Sequence, residues 1–422
     1  MIQEINLCTY NQKKLCMNAK ILLISLLAMI ITAGAESPKL ENISIGALVP
    51  VSGDWAGSGK QITAALDIGL MDVNRFLENI GSCKRVVLTF EDTKADPSTA
   101  VEKLKILCET GIDIIIASGS SQELQAMKDY ADENGVLLIA TSSTAPSLAV
   151  PGDNIYRLVT DDTHQGEVMD LVLASSNVTA IVPMARKDVW ADDLLKATGK
   201  GFLAEKGVVL DGVRYAPNSS DYSQDVRALS AKVKDAVSRY GADRVGVYLL
   251  SFEEGGKIMG LAAGDPVLSS VKWFGSDGIA NQADLAENGT LADFAVETDF
   301  IAPIYSGEDE RQLYKDVSNS VKKATGSKPS AYAVAAYDAL WIATEAELLA
   351  GNGTFPQLKA AYVQIADNYC GATGRTMLNE AGDRDFADYS LLAVKEMNGK
   401  YAWEKVGLFY ADYNESGLEW IK

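Results

Sequence analysis

Short apolar runs alternate with longer amphipathic stretches along most of this chain. Apolar runs at 43–49, 112–117 and 136–140 end at turn residues and are typical of strands that are buried on both faces. Residues 59–77 instead repeat apolar side chains at helical spacing, which predicts a helix with one buried face. Strands and helices in alternation predict a parallel sheet that is covered by helices on both sides.

The same pattern starts again after a break at residues 150–154. In this second series the apolar runs lie at 178–183, 245–250 and 271–274. Near the end of the chain, residues 389–395 and 401–409 predict the two strands of a hairpin, because Asn398-Gly399 is a favoured two-residue turn. The pattern therefore indicates an α/β fold with two doubly wound parallel-sheet lobes.

The length supports two lobes, since a chain of 422 residues exceeds a single compact core. We assign residues 42–161 and 300–388 to lobe I, and residues 162–299 and 389–422 to lobe II. The chain then crosses between the lobes at hinge segments. Ligands of doubly wound sheets bind beyond the carboxyl ends of the strands, so we expect a ligand in the cleft between the lobes.

The chain is strongly acidic, with a formal net charge of −19 at pH 7. Binding to phosphate backbones or anionic membranes needs clustered lysine and arginine, so this charge argues against nucleic acid as a partner. An excess of negative charge is ordinary for a protein that stays soluble outside the cell. We expect a monomer that binds a small molecule.

Residues 1–35 have the layout of a secretory signal peptide. Lysines flank the start of an apolar run at 21–32, and the small residues at 33–35 form a cleavage site. The run is shorter than the about 20 residues that a stable membrane span needs. We therefore predict export to the periplasm or cell surface. A start at Met17 and an uncleaved N-terminus that tethers the protein to the membrane both stay open.

Three polar segments follow strand-like runs, at 118–121, 141–146 and 275–278. The first two are rich in serine and threonine, whose hydroxyls, with the backbone amides at strand ends, suit a carboxylate. The third segment places Asp277 among glycine and serine, and an aspartate suits an ammonium group. An amino acid carries both groups, so the segments predict the binding of a small zwitterion. No cofactor or metal is implied.

The order and spacing of several short motifs resemble a known family. The motifs are Ile45-Gly46-Ala47 with Ser52-Gly53, Asp96-Pro97, Ala145-Pro146, Phe274-Gly275-Ser276-Asp277-Gly278, and Tyr332 before Ala336-Tyr337-Asp338-Ala339. They are similar to those of the substrate-binding proteins of branched-chain amino-acid ABC transporters, the Leu/Ile/Val-binding type with the periplasmic binding protein type I fold. The resemblance extends from about residue 42 to the end of the chain.

This resemblance implies roles for four residues of the three polar segments. The ligand carboxylate would be held by Ser121, Ser142 and Thr144, and the ligand ammonium group by Asp277. The implied protein captures an amino acid, branched-chain or a related aliphatic one, and delivers it to a membrane ABC permease. The alternative for Ser142 and Thr144 is that they make turn hydrogen bonds only.

The resemblance also implies that aromatic side chains close the cleft. The matching positions hold Trp190, Phe252 and Tyr332, for which core packing is the alternative. The first loop of the family often carries a tyrosine where this chain has Ser58. Trp55, three residues earlier, is the candidate to replace it.

The sequence does not favour an enzyme. Its one histidine, His164, is too few for a histidine-based metal cluster, and no Gly-x-Ser-x-Gly elbow is present for a serine nucleophile. The stretch 57–61 has some likeness to a phosphate-binding loop, but the first glycine position holds aspartate and no serine or threonine follows its lysine. We interpret the paired acids Asp161 and Asp162 as ordinary surface or strand-end acids.

Three alternatives stay open at this point. A ligand-sensing ectodomain of the same fold would pass ligand occupancy to a signalling partner rather than to a permease. A binding protein for an amide, a urea or an aromatic acid would use the same cleft. The absence of the first-loop tyrosine is compatible with such a ligand. A disulfide between Cys83 and Cys108 is compatible with their positions, as are two separate thiols.

Overall fold

The computed structural model describes residues 40–53, 55–306, 311–411 and 417–421. The predicted signal peptide, residues 1–35, lies outside this part of the chain. Within the described ranges, no helix combines the length and the apolar character that crossing a membrane requires.

Strands and helices alternate through most of the fold, as the apolar pattern predicts. The strands are β1 (Glu41–Val49), β2 (Lys84–Asp92), β3 (Ile114–Ala117), β4 (Leu137–Ala140), β5 (Ile155–Arg157), β6 (Ala180–Arg186), β7 (Val208–Val209), β8 (Val213–Tyr215), β9 (Val245–Leu250), β10 (Lys272–Phe274), β11 (Ile301–Ser306), β12 (Cys370–Gly371), β13 (Gly374–Arg375), β14 (Asp388–Met397), β15 (Lys400–Tyr410) and β16 (Gly417–Trp420). The α-helices are α1 (Ala56–Asn79), α2 (Pro97–Glu109), α3 (Ser121–Asn134), α4 (Asp162–Ser175), α5 (Val189–Ala204), α6 (Ser223–Tyr240), α7 (Gly255–Ala262), α8 (Ala283–Glu287), α9 (Gly289–Glu297), α10 (Gln312–Thr325), α11 (Ala331–Ala350) and α12 (Phe355–Asn368).

Lobe I is built on a parallel sheet with the strand order β2-β1-β3-β4-β5. Helices α1, α11 and α12 pack on one face of this sheet, and α2 and α3 pack on the other. All side chains of β3 and β4 are buried, which is the burial that their unbroken apolar runs predict.

Lobe II is built on a sheet with the order β16-β15-β14-β11-β10-β9-β6-β7, in which β8 also pairs with β6. Strands β6, β9, β10 and β11 run parallel, and β14 to β16 add an antiparallel edge. Helices α6, α7 and α9 cover one face, and α4 and α5 cover the other. Helices on both faces of one parallel sheet and of one largely parallel sheet confirm the doubly wound fold.

Strand β11 corrects one part of the predicted division into lobes. Its residues Ile301–Ser306 pair with β10 and β14 in the sheet of lobe II, whereas the sequence interpretation gave 300–388 to lobe I. A short apolar run predicts a strand, but its composition does not say which of two sheets accepts it. The division of the remaining residues between lobe I and lobe II stays a prediction.

The predicted terminal hairpin is present as β14 and β15. Asn398 and Gly399 form its turn with φ angles of 56° and 75°. Both values lie in the left-handed region that a tight hairpin turn requires and that asparagine and glycine tolerate best.

A buried ion pair joins the edge of lobe I to the chain that returns to lobe II. Arg157, the last residue of β5, is 0% exposed. Its Nε and Nη2 atoms donate to the two carboxylate oxygens of Asp383 at 2.5 Å each, and its Nη1 donates to the carbonyl oxygen of Ala145 at 2.9 Å. Asp383 lies shortly before β14, so the pair fixes a crossing between the lobes.

Cys83 and Cys108 are separate thiols in the structure, so the disulfide that the sequence left open is not formed. Cys108 lies on α2 with its side chain half-buried. Burial raises the pKa of its thiol, which keeps it protonated and unreactive at neutral pH.

Asp170 lies where α4 packs closely against α5. The close approach is possible because residue 201 is glycine, since a Cβ atom there would come within 1.7 Å of the Asp170 Oδ2. Burial raises the pKa of Asp170 to about 7, and the charges of Glu167 and Glu205 add to the increase. Below about pH 7 the folded protein therefore favours the neutral form of the Asp170 carboxyl group.

We expect this aspartate to make the protein less stable as the pH rises. Its ordinary pKa is 3.8 and its folded pKa is about 7, so its contribution is complete below about pH 4 and is lost as the pH rises through about 7. Urea denaturation at pH 5 and at pH 8 measures the free energy of unfolding. The decrease from pH 5 to pH 8 should be smaller in Asp170→Asn than in the wild type. Asp211→Asn, at an exposed position, is the control. An equal fall in Asp170→Asn and wild type would show that Asp170 ionises normally.

Candidate ligand-binding site

The carboxylate side of the predicted pocket begins at the N-terminus of α3. Ser120 caps this helix in a reciprocal capping box with Glu123, so its side chain has a structural role. Ser121, the first helical residue, is buried, and its Oγ accepts hydrogen bonds from the backbone N–H groups of Thr144 and Ala145, at 3.2 Å each. The end of β3 and the end of β4 are thus joined through one hydroxyl group.

Ser142 and Thr144 lie in the loop after β4 and are both buried. The Ser142 hydroxyl donates to the carbonyl oxygen of Gly119 at 2.9 Å. The Thr144 hydroxyl donates to Asp162 Oδ2 at 2.8 Å. The three residues proposed for a carboxylate therefore lie together, and Thr144 connects them to the start of α4.

Asp277 follows β10, at the carboxyl edge of the lobe II sheet, and is buried. Its Oδ2 accepts a hydrogen bond from the Tyr332 hydroxyl at 2.5 Å. Its Oδ1 accepts from the side-chain amide of Gln165 at 3.0 Å, and its backbone N–H donates to Gln165 Oε1 at 2.9 Å. Tyr332 belongs to α11 of lobe I, so this aspartate forms a contact between the lobes.

The sequence reasoning missed two members of this group, Asp162 and Gln165. Gln165 Nε2 also donates to Asp162 Oδ1 at 2.7 Å, and so bridges the carboxylates of Asp162 and Asp277. The interpretation of Asp162 as a surface or strand-end acid was wrong, because the side chain is 0% exposed. Asp161 caps α4, which turns the next residue inward. An acid directly after a capping aspartate, with glutamine three residues later, is the signal that was available.

Ionising both of these buried carboxyl groups is unfavourable, because their negative charges repel each other. Burial raises the pKa of Asp277 and of Asp162, and the charge of Asp277 raises the pKa of Asp162 further. The side chains that donate to them, Tyr332, Gln165 and Thr144, are all neutral. A cation placed here would stabilise the ionised pair, and its binding would be strengthened by the buried surroundings.

Aromatic rings continue the site beside this acidic pair. The Phe252 ring is centred 4.5 Å from that of Trp190 and 4.7 Å from that of Trp55. A Cβ atom on Gly278, the neighbour of Asp277, would lie 2.5 Å from the Phe252 ring. The structure thus places the eight residues predicted for the site around one region between the lobes.

Comparison with known proteins identifies the family and the fold of this chain. Residues 61–397 match the family described as receptor family ligand binding region. An uncharacterized protein of Methanocaldococcus jannaschii is 28% identical over 410 residues, which cover 92% of this chain and 94% of that protein. The Leu/Ile/Val-binding protein homolog 3 of Brucella melitensis is 28% identical over 284 residues, which cover 65% of this chain and 72% of that protein.

Solved structures show the same fold. The leucine-binding protein LivK of Thermotoga maritima has a TM-score of 0.68 at 18% identity, covering 86% of this chain and 97% of its own. A solute-binding protein of R. palustris in complex with benzoate has a TM-score of 0.68 at 18% identity, covering 86% of this chain and 96% of its own. The resemblance to Leu/Ile/Val-type substrate-binding proteins is confirmed, and the chain belongs to the receptor family ligand binding region.

Proposed function

We propose that this protein is an extracytoplasmic solute-binding protein that captures an α-amino acid, branched-chain or a related aliphatic one, and delivers it to a membrane ABC permease. The observation that carries the proposal is the buried pair Asp162 and Asp277, bridged by Gln165 and facing a serine-rich helix N-terminus. An acidic group opposite an anion-binding group is complementary to a zwitterion. The named functions of the Leu/Ile/Val-binding relatives support the same ligand class.

The carboxylate of the ligand would bind at the N-terminus of α3. Ser121 supplies a hydroxyl there, and the positive end of the helix dipole favours an anion. Ser142 and Thr144 supply further hydroxyl groups, which are now engaged within the protein and would rotate toward the ligand. These contacts come from lobe I only, so binding can start on an open form.

Closure of lobe II would then bring Asp277 onto the ammonium group. Contacts between the lobes hold the closed arrangement. They are Tyr332 Oη to Asp277 at 2.5 Å, the Trp55 and Phe252 rings, and the Ser147 backbone N–H to Asp193 Oδ2 at 2.9 Å. A ligand that adds its own contacts to both lobes shifts the population toward the closed form. The closed shape is what a permease would recognise, and no step needs a catalytic residue.

An aromatic acid is the second candidate ligand, because the fold is shared with a solute-binding protein solved in complex with benzoate. Such an acid would satisfy the hydroxyl groups of lobe I through its carboxylate. It carries no ammonium group, so the buried pair Asp162 and Asp277 would gain no cationic partner. This difference favours an amino acid.

A thermal-shift screen separates these ligands. A ligand that binds only the folded protein stabilises it by about 2.7 kcal/mol at a hundred times its Kd. We expect one or more aliphatic amino acids to raise the melting temperature, while amides, urea and benzoate leave it unchanged. A shift with benzoate and none with any amino acid would contradict the proposal. Mass spectrometry of the mature N-terminus tests the sensory alternative, since a retained anchor would favour it.

A further inference from the structure

Asp162 and Asp277, which we call the buried acid pair, are held at a fixed spacing by Gln165. The Gln165 Oε1 accepts a hydrogen bond from the backbone N–H of Asp277 at 2.9 Å, so the amide nitrogen has to face the two carboxyl groups. That nitrogen donates to the Oδ1 atoms of Asp162 and Asp277, at 2.7 and 3.0 Å. The two Oδ1 atoms therefore lie less than about 6 Å apart, a separation at which like charges strongly disfavour each other.

The other carboxyl oxygen of each aspartate faces a hydroxyl group of lobe I. Thr144 Oγ1 lies 2.8 Å from Asp162 Oδ2, and Tyr332 Oη lies 2.5 Å from Asp277 Oδ2. A hydroxyl group can donate to a carboxylate or accept from a carboxylic acid, whereas an amide N–H only donates. A single proton therefore fits on either Oδ2 atom, because reversing the direction of one hydroxyl group keeps every hydrogen bond.

The tyrosines around the buried acid pair carry no charge. They are Tyr332 of α11, Tyr389 of β14 and Tyr248 of β9. Burial raises the pKa of each of these tyrosines, and the negative charge of the pair adds to the increase. All three hydroxyl groups therefore stay protonated and do not compensate the charge of the pair.

Asp161 and His164 are the charged neighbours of the pair on α4. Burial acts to raise the pKa of Asp161, but its hydrogen-bonding neighbours outweigh burial and lower the pKa to about 2, so Asp161 is ionised. Its negative charge opposes the ionisation of Asp162. His164 Nδ1 lies 3.9 Å from Asp161 Oδ1, so a positive charge on this histidine is neutralised first by Asp161. The buried acid pair therefore keeps its surplus of negative charge.

We propose that the buried acid pair shares one proton below about neutral pH when the cleft holds no ligand, and that the ammonium group of an incoming amino acid displaces this proton. This rests on the proposed function and adds proton release to the same site. The O–H bond of one carboxyl group breaks and its proton passes to the solvent. The ammonium group keeps its own three protons and takes the place of the one released. The charge in the buried region is unchanged, since one cation replaces another of equal charge.

Proton release makes ligand affinity depend on pH. Protons and the ligand compete for the buried acid pair, so a rise in pH favours the ligand as long as the free pair is protonated. The affinity should then rise by up to about tenfold per pH unit and level off once the free pair is ionised.

Calorimetric titration with leucine, isoleucine, valine and alanine tests this at about pH 5.5, 6.5 and 7.5, in phosphate and in ACES buffer. The two buffers differ in ionisation enthalpy, so the difference between the observed binding enthalpies gives the number of protons released per ligand. The amino acids that bind should release about one proton at the lowest pH and less at the highest. These ligands keep the same charges over this range, so the protons come from the protein.

Three substitutions on α4 identify the source of the proton. Asp162→Asn removes the like charge beside Asp277 and should lose most of the release. His164→Gln should keep it, because the charge of this histidine is directed at Asp161. Asp170→Asn is the matched control and should also keep it, since Asp170 has a pKa of about 7 but lies where α4 packs against α5. Melting temperatures establish that each variant is folded.

The outcomes separate proton release from amino-acid binding. Binding without proton release at all three pH values overturns the proposed displacement and leaves amino-acid binding intact. Loss of the release in His164→Gln or in Asp170→Asn, or full release in folded Asp162→Asn, also overturns it. The wild-type series and the His164→Gln variant decide the question if Asp162→Asn does not fold or bind. Absence of binding for all four amino acids overturns the displacement together with the proposed function.

Discussion

Replacing Asp277 by alanine is expected to weaken amino-acid binding by about 2–5 kcal/mol, because the ligand ammonium would lose a charged, desolvated partner. The carboxylate accepts hydrogen bonds from Tyr332 and Gln165 and is almost fully buried, so water does not replace it in the closed cleft. Calorimetric titration measures the loss directly. Asp277→Asn keeps the size of the side chain and removes its charge, and should be nearly as weak as Asp277→Ala.

Asp211→Ala is the matched control for this substitution. The Asp211 side chain is 93% exposed and pairs with Lys232 at the surface, so its removal should leave ligand affinity unchanged. Wild-type affinity in Asp277→Ala, with the fold intact, would contradict the assignment of the ammonium partner. A loss in Asp211→Ala of the same size would point to a general charge effect instead.

Asp383→Ala is expected to lower the free energy of unfolding by about 3–5 kcal/mol, since it leaves the Arg157 guanidinium buried without its carboxylate. The guanidinium is 0% exposed and makes two hydrogen bonds to Asp383, so no solvent reaches it to compensate. Urea denaturation at neutral pH measures this change. Because the pair lies at a crossing between the lobes, the variant should also lose part of the affinity for the ligand.

Asp192→Ala removes a comparable arginine–aspartate pair at the surface. Asp192 pairs with Arg214, and their side chains are 60% and 33% exposed. Exposed pairs contribute only about 0–1 kcal/mol, so this control should unfold close to the wild type. Equal effects of the two substitutions would show that burial of Arg157 does not determine the strength of the interaction.

The pattern of apolar residues predicted the fold because parallel strands are buried on both faces. An unbroken run such as Ile114–Ala117 leaves few alternatives to a central strand. The terminal turn was predictable because asparagine and glycine together tolerate positive φ angles. The serines after β3 and β4 were predictable as neighbours, since the carboxyl ends of parallel strands meet at one edge of a sheet. Asp277 follows a strand of the other sheet, and its place opposite the serines was predictable because ligands of two-lobe doubly wound folds bind between the carboxyl edges of both sheets.

Long-range contacts were not predictable in the same way. Asp162 and Asp277 are far apart in the sequence, and only the packing of α4 against the sheet of lobe II places the Gln165 amide between them. The same limit applies to Arg186, whose position against Phe252 depends on two different strands ending side by side. Local spacing carries no information about either contact.

The central claim is that the cleft recognises both charged groups of an amino acid. Calorimetric titration of the wild type with alanine, propionate and ethylamine tests this most directly, because the last two each lack one charged group of the first. The structure predicts that alanine binds and that propionate and ethylamine bind at least about a hundredfold more weakly, as expected when a buried charge loses its partner. Binding of propionate or benzoate as tight as that of alanine would contradict it.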